Sequence, residues 1–560
     1  MAEAPNFPFL ISERVRNALQ RLAANRTLVI YCGAGVTVDR TSLQWNDLVL
    51  SVFNQSDAAQ SLSKEDYEAV RSLLEDSSID AKKKASVVCQ AAEMASETEA
   101  LEPILEDLLY TTNGWQEGYI LRNLSRLVMG LALLGQRVRI ITTNYDDYIE
   151  RAVLNEIAEW RKGVEEEPEL PVPGFVVSDV NGDEISHPVH SARGAADVGL
   201  IYIHGRKSVG QPADGRLVFS EDSYSKNRHT EVDFLIRQFH EDAALLVIGA
   251  SFNDEPLVEA LIRTKSSQTD RFALLVPWGR TLEEREARSL VDRLRGDHLG
   301  VQILSPASFS QVAQFIEELR ILLFLDSLDA QELYFDQFSY GKRLRRWWEA
   351  WTESRWHLKH TKHFEILRDT VQEVHSYFRK NGIVRSSTVN EPEVLKLEAW
   401  VRVDPSVSGD RRHLTHWANS IGPLRTHEAF RRERIEPSSS IASVVAFQNG
   451  RPTLLGLSDL GYEAHASRWK SFLAVPIFIE DVLPLLLSTE EDITHSLEVA
   501  GSVPVAVMCL ASTLPLEVDS EGGDVASFKD QTMDSSLYHE LLAHLIGSGR
   551  AIAGLRTHSA

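Results

Sequence analysis

TLVIYCGAGVTV, residues 27–38, is the stretch on which the fold turns. Leu28, Val29, Ile30, Tyr31 and Cys32 run without a strongly polar break into Gly33-Ala34-Gly35. A short apolar run closed by glycine is the pattern of a strand buried on both faces, as in a parallel sheet. Glycine lets the backbone turn tightly and approach a ligand. A helix beginning just beyond would aim free N–H groups and the positive end of its dipole at an anion. That is the pattern of a dinucleotide phosphate cradle, with Gly33, Ala34, Gly35, Val36 and Thr37 as candidate residues. Thr37 and Val38 stand where the third glycine of GxGxxG would be sought, so an ordinary strand–turn–helix fits the same letters.

Outward from this stretch, Ser12–Ala24 carries Val15, Ala18, Leu19 and Leu22 at helical spacing, and SLQWNDLVLSVF places Trp45, Leu48, Val49 and Phe53 on one helical face. Trp45 reads as a core aromatic in preference to a ligand platform. Residues 57–135 read as helices, the last (Leu121–Gly135) strongly apolar and stopped by glycine. A second strand, Arg137–Thr143, ends in Asn144-Tyr145-Asp146-Asp147 and leads into a helix. Residues 161–198 read as an irregular excursion. Further strands are expected at Gly199–Ile203, ending in His204-Gly205, at Ala243–Ile248, ending in GASFND, at Arg271–Val276, ending at Pro277-Trp278, and at Gly300–Leu304. Helices at about Glu231–Glu241, Glu255–Thr264, Leu282–Arg295 and Ser308–Leu325 separate them. Strands alternating with helices imply right-handed crossovers and a doubly wound, Rossmann-like parallel sheet with helical insertions.

The 560 residues suffice for two to four domains, and 43% hydrophobic with 25% charged residues is ordinary globular composition. The first twenty residues have no apolar core of a secretory signal, and no apolar run is long enough to span a membrane. Cys32, Cys89 and Cys509 are too few and too scattered for a disulfide framework, which points to the cytoplasm. A net charge of −23 speaks against a general nucleic-acid binder.

In a doubly wound sheet the carboxyl ends of the strands open on one crevice, so GAG, TTNYDD, HG and GASFND would converge. Taken one at a time, each has a plainer explanation: Asn144 as a helix cap, His204 as a hydrogen-bonded structural histidine. Taken together and in this order, Gly33–Thr37, Thr142–Asp146, His204-Gly205 and Ile248–Asp254 resemble the sirtuin-like (SIR2-like) family, and Arg216–Tyr224 (RLVFSEDSY) is similar to its prokaryotic branch. The resemblance covers about residues 12–325. Protein-deacylating members carry two CxxC pairs that hold zinc, which three cysteines cannot supply. The usual proline after the glycine loop is absent too, Ser42-Leu43-Gln44 leading to Trp45. What remains resembles the SIR2-like domains of bacterial anti-phage defence proteins, and implies that NAD is consumed as substrate, without a metal. By resemblance, Asn144 and His204 take the catalytic roles. Asn144 offers a donor and an acceptor without charge, and His204 can accept a proton near neutral pH. Asp146 or Asp147 would stabilise charge near the ribose, or serve only as helix-start acids. Gly249 would belong to the cofactor site, and Ser251 and Asp254 would contact the adenine ribose or phosphate.

Beyond residue 325 the composition changes. Residues 326–362 include SYGKRLRRWWEAWTESRWHLKHTKHF, with seven Lys or Arg and four Trp. This basic, aromatic connector can bind single-stranded nucleic acid by stacking; packing of its tryptophans between domains is the preferred reading. Residues 363–560 read as a smaller α+β domain: a helix at 363–378, strands at Leu395–Asp404, Ser471–Glu480 and Val503–Leu510, a short helix stopped by Gly450, and a closing helix at about Ser535–Ile546. SFLAVPIF and VAVMCLAST resemble the core strands of a GAF domain, which implies a sensor or oligomerisation module. The combined expectation is an effector that hydrolyses NAD+ to nicotinamide and ADP-ribose and halts the infected cell. Its 1–325 domain would be gated by the C-terminal domain through an infection-derived trigger or small ligand, in a homo-oligomer. The alternatives are a protein deacylase and a non-catalytic nucleotide-binding scaffold working with a nucleic-acid-guided partner.

Overall fold

The structure is a computed structural model. It describes residues 9, 11–25, 27–38, 45–56, 59, 61–76, 79, 81–94, 101–110, 118–166, 170–186, 188–214, 217–240, 243–266, 269–277, 282–306, 309–325, 327–383, 392–402, 413–422, 431–435, 439–450, 452–462, 468–479, 503–517, 524–531 and 535–555. Ser42-Leu43-Gln44, Arg216, Trp278, Asp404 and Glu480 lie outside them. The chain divides into two compact units, Glu13–Ser327 and Leu328–Ala560, the latter joined by residues 1–12.

The first unit is a seven-stranded, wholly parallel sheet in the order β3-β4-β2-β1-β5-β6-β7. Its strands are β1 (Thr27–Cys32), β2 (Arg137–Thr142), β3 (Gly174–Asp179), β4 (Asp197–Tyr202), β5 (Ala244–Ile248), β6 (Arg271–Leu274) and β7 (Gln302–Leu304). It is flanked by α1 (Glu13–Ala24), α2 (Trp45–Gln55), α3 (Lys64–Glu75), α4 (Ala81–Met94), α5 (Leu101–Tyr110), α6 (Tyr119–Leu133), α7 (Tyr148–Glu166), α8 (Glu221–His240), α9 (Glu255–Arg263), α10 (Leu282–Leu299) and α11 (Phe309–Leu323). This is a Rossmann-like, doubly wound architecture. Leu28–Cys32 and the whole of β5 are buried, as strands covered by helices on both faces must be. The strand order reverses at β1, where crevices form in such sheets.

Two sequence expectations are corrected here. The stretch read as irregular contains β3, an edge strand pairing with β4 from Gly174↔Asp197 to Asp179↔Tyr202. Its three apolar residues, Phe175–Val177, are followed at once by polar ones, so its apolar run is too short to stand out. The helix expected from Glu231 begins ten residues earlier, at Glu221. Its polar first half, EDSYSKNRHT, hides the start from any apolar periodicity.

The second unit is a six-stranded antiparallel sheet in the order β10-β9-β8-β13-β12-β11. The strands are β8 (Leu395–Val401), β9 (His413–Asn419), β10 (Arg432–Arg434), β11 (Thr453–Gly456), β12 (Ser471–Phe478) and β13 (Pro504–Ser512). Sequence reading expected β8, β12 and β13 but not β9, β10 or β11. Its helices include α12 (Tyr340–Glu353), α13 (His360–Lys380), α14 (Ala442–Asn449) and α15 (Ser535–Ile552). Alternation along β13 serves two layers: Val507 and Cys509 join the cluster under α14, while Met508 meets Gly549 of α15. Gly450 stops α14 in the left-handed conformation at φ 64°.

Trp347, Trp348 and Trp351 of α12 are buried within this unit. The indole N–H groups of Trp347 and Trp351 donate to the carbonyls of Ala553 and Ile552 at 2.9 and 3.1 Å, and that of Trp356 reaches Ala551 at 2.8 Å. The end of α15 has carbonyls with no intrahelical donor, and the tryptophans supply the donors. Among the described helices, none is long and apolar enough to cross a membrane.

Candidate functional site

Strand register builds the site. Cys32 of β1 is level with Thr142 of β2 and Ile248 of β5, Thr142 with Tyr202 of β4, and Ile248 with Leu274 of β6. The residues just past this row therefore emerge along one edge. They surround a cavity of about 680 Å3 lined by Gly33–Gly35, Thr37, Asn144, Asp146, His204, Gly249, Ser251 and Asp254, among others. Its size is within the ordinary range for cofactor and ligand sites. Val36 and Asp147 are not among the lining residues.

The glycine loop is a backbone-to-backbone joint. Gly33 N–H donates to Ile248 O at 3.0 Å and Gly35 N–H to Gly249 O at 2.9 Å. A Cβ on Gly35 would stand 2.6 Å from Gly249 Cα, and one on Gly249, at φ +67°, would stand 2.5 Å from Val36 N. A side chain at either place is excluded sterically. Ala34–Val36 forms a single 3₁₀ turn, in which Val36 and Thr37 N–H donate to Gly33 O and Ala34 O. The N–H groups of Gly33, Gly35, Val36 and Thr37 are thus already engaged, and the loop's shape, more than a fan of free donors, is what it offers a ligand.

Asn144 is buried beyond β2. Its N–H donates to Thr142 Oγ1 and its Nδ2 to Thr37 Oγ1, both at 3.1 Å. With the amide nitrogen fixed, Oδ1 is left buried without a partner among the described residues. Asp146 is buried beside it, accepting from Tyr148 N–H at 3.2 Å, and burial above all pushes its carboxyl up to about 7. Asp147 turns elsewhere: it accepts from Tyr110 Oη at 3.0 Å and from Arg151 at 2.9 Å.

His204, after β4, is 3% exposed. Tyr224 of α8 meets its ring edge-on, with centroids 5.0 Å apart. Its Nε2 has no hydrogen-bond partner among the described residues. On the β5 side, Ser251 is exposed at the cavity edge. Asp254 Oδ2 accepts from the hydroxyl of Tyr31 while Oδ1 is buried and unpartnered. Burial and then Asp254 hold the Tyr31 hydroxyl well above the usual tyrosine range.

The structure thus brings Gly33, Asn144, Asp146, His204, Gly249, Ser251 and Asp254 to one cavity, and directs Asp147 into an ion pair with Arg151. Trp45 packs against Phe219 and Tyr145, at 5.1 and 5.9 Å, as a core aromatic would, and also lines the cavity. Tyr31 and Tyr224, which also line the cavity, were missed. Tyr31 sits inside the apolar run that announces β1, where alternation would have been the signal and burial on both faces removes it.

The pattern of the SIR2-like domain family matches residues 138–295. Among solved structures, one described as "Structural Basis for the Mechanism and Regulation of Sir2 Enzymes" is 11% identical, covering 56% of this chain and 97% of its own, with a TM-score of 0.27. No curated protein matches the chain.

Proposed function

We propose that the unit Glu13–Ser327 binds NAD+ and hydrolyses the bond between nicotinamide and ribose C1′. One observation carries this reading: Asn144 Oδ1 and Asp254 Oδ1 are buried polar atoms left without partners among the described residues, beside one cavity that His204 also lines. Orphaned polar atoms are costly and are expected where a ligand completes them. The SIR2-like match over 138–295 agrees with a nucleotide ligand. Breaking the C1′–N bond sends its electron pair to nicotinamide, which leaves neutral, and builds positive charge on the ribose. Asn144 orients water or a ribose hydroxyl through Oδ1. His204 takes the proton that water loses as its oxygen adds to C1′. The buried carboxyl of Asp146 faces the developing charge.

The resemblance to anti-phage proteins supports the wider role, an effector that depletes NAD in infected cells and is gated by the GAF-like second unit, alone or in a homo-oligomer. The test is nicotinamide release by the purified full chain, with and without infected-cell lysate. Nicotinamide with ADP-ribose, lost in His204→Ala, is the expected result. Release only with an acylated peptide would favour a deacylase, and binding of NAD without turnover a nucleotide-binding scaffold.

A further inference from the structure

Glu231, on α8, is fully buried. Neither of its carboxylate oxygens has a hydrogen-bond partner among the described residues. Its Oε2 lies 3.7 Å from His204 Nε2, itself unpartnered. A carboxylate in such a place is strongly disfavoured unless a positive charge or a donor meets it, and an imidazole Nε2–H is such a donor. Tyr224 of α8 meets the ring edge-on, and Lys82 of α4 has its Nζ 4.5 Å over the Tyr224 ring; Tyr31 of β1 and Tyr145 beyond β2 feel the charges of Glu231 and Asp254. Asp254 is bonded to Tyr31, which leaves Glu231 as the carboxylate aimed at the histidine.

We propose that Glu231 is the positioning residue of His204. It accepts Nε2–H, fixes the tautomer that leaves Nδ1 to the cavity, and stabilises the imidazolium that forms. In the reaction the substrate O–H bond breaks, an Nδ1–H bond forms, and the electron pair stays on the oxygen that attacks C1′. The logic is that of a carboxylate behind a catalytic histidine. A separation of 3.7 Å is long, as such contacts often are before substrate tightens them. The inference rests on His204 being the proton acceptor of the proposed hydrolysis.

Two measurements on the full chain test it. In steady-state nicotinamide release, Glu231→Gln lowers kcat roughly 100-fold with little change in KM, the acid limb of the pH profile moves to lower pH, and Glu231→Asp recovers part of the rate. An unchanged kcat and profile in Glu231→Gln overturns the proposal. The second measurement needs no turnover: 15N shifts of the His204 ring, assigned by loss of the signal in His204→Ala. Protonation at Nε2 in the wild type, lost in Glu231→Leu, supports the pairing; the same tautomer in both overturns it. If the wild type releases no nicotinamide, the hydrolase reading fails and the tautomer result alone decides the pairing.

Discussion

Two histidine–glutamate pairs in this chain stand at the same separation, 3.7 Å: His204–Glu231 by the cavity of the first unit and His416–Glu398 on the sheet of the second. Their surroundings differ. Glu398 also meets Lys396 and accepts from Trp400 Nε1–H at 3.1 Å. Burial alone would raise its carboxyl, but His416, Lys396 and these hydrogen bonds outweigh it and hold it below the usual carboxylate range. Among the described residues, Glu231 has the histidine only. In both pairs the histidine Nε2 lacks a hydrogen bond among the described residues; the carboxylate is satisfied in one place and bare in the other, and the count of its remaining partners separates scaffold from chemistry.

The largest expected effect breaks the comparison outright. His204→Ala or Asn144→Ala should fold normally and lose about 10²–10⁴ in the rate of nicotinamide release, whereas His416→Ala should keep that rate. Equal losses in both histidine variants would mean that the pairs do not differ in role. A third buried carboxylate sharpens the contrast. Asp146 is pushed up to about 7 in the folded state, so it holds its proton when folded and releases it when unfolded across the interval from about pH 4 to 7. Folding is therefore penalised as pH rises through that window, by a few kcal/mol at most. Asp146→Asn should raise the melting temperature at pH 8 and leave it unchanged at pH 4.

Smaller effects of opposite sign should follow at the two glutamates. Glu231→Leu removes a buried carboxylate that has no hydrogen bond among the described residues and should leave the melting temperature unchanged or raise it. Glu398→Leu strands Lys396, His416 and the Trp400 indole and should cost about 1–3 kcal/mol at neutral pH. Because the Glu398 carboxyl is depressed when folded, its stabilisation exists above the ordinary carboxylate range and disappears as pH falls through and below it. The smallest effect is Trp351→Phe, which deletes one of two indole donors to Ile552 O and should cost about 1 kcal/mol in thermal unfolding.

The parallel sheet was legible because its strands are uninterrupted apolar runs ending in small or polar residues, as at Cys32-Gly33 and Ile248-Gly249. Of the edge strands, β7 was expected at Gly300–Leu304, whereas β3 and β10 were not. β3 has three apolar residues before Ser178, and β10 is RER with none. Convergence of Asn144 and His204 on a common edge followed from strand order alone. Glu231 could not be found in that way: it is one charge within TEVDFLIRQF, and only its nearness to His204 makes it different from Glu221 or Asp222. Likewise, nothing local separates Asp146 in the cavity from its neighbour Asp147, which Tyr110 and Arg151 draw aside.

Gly35 and Gly249 occupy one another's missing side-chain space. Neither position can therefore change size on its own: an alanine at one demands that the other loop retreat and the cavity rim open with it. In a set of related chains the two sites would be inherited as a single character although they lie on different strands. A designer who wished to widen this crevice would have to edit both loops in one step, and could not reach the result through single substitutions that each remain folded.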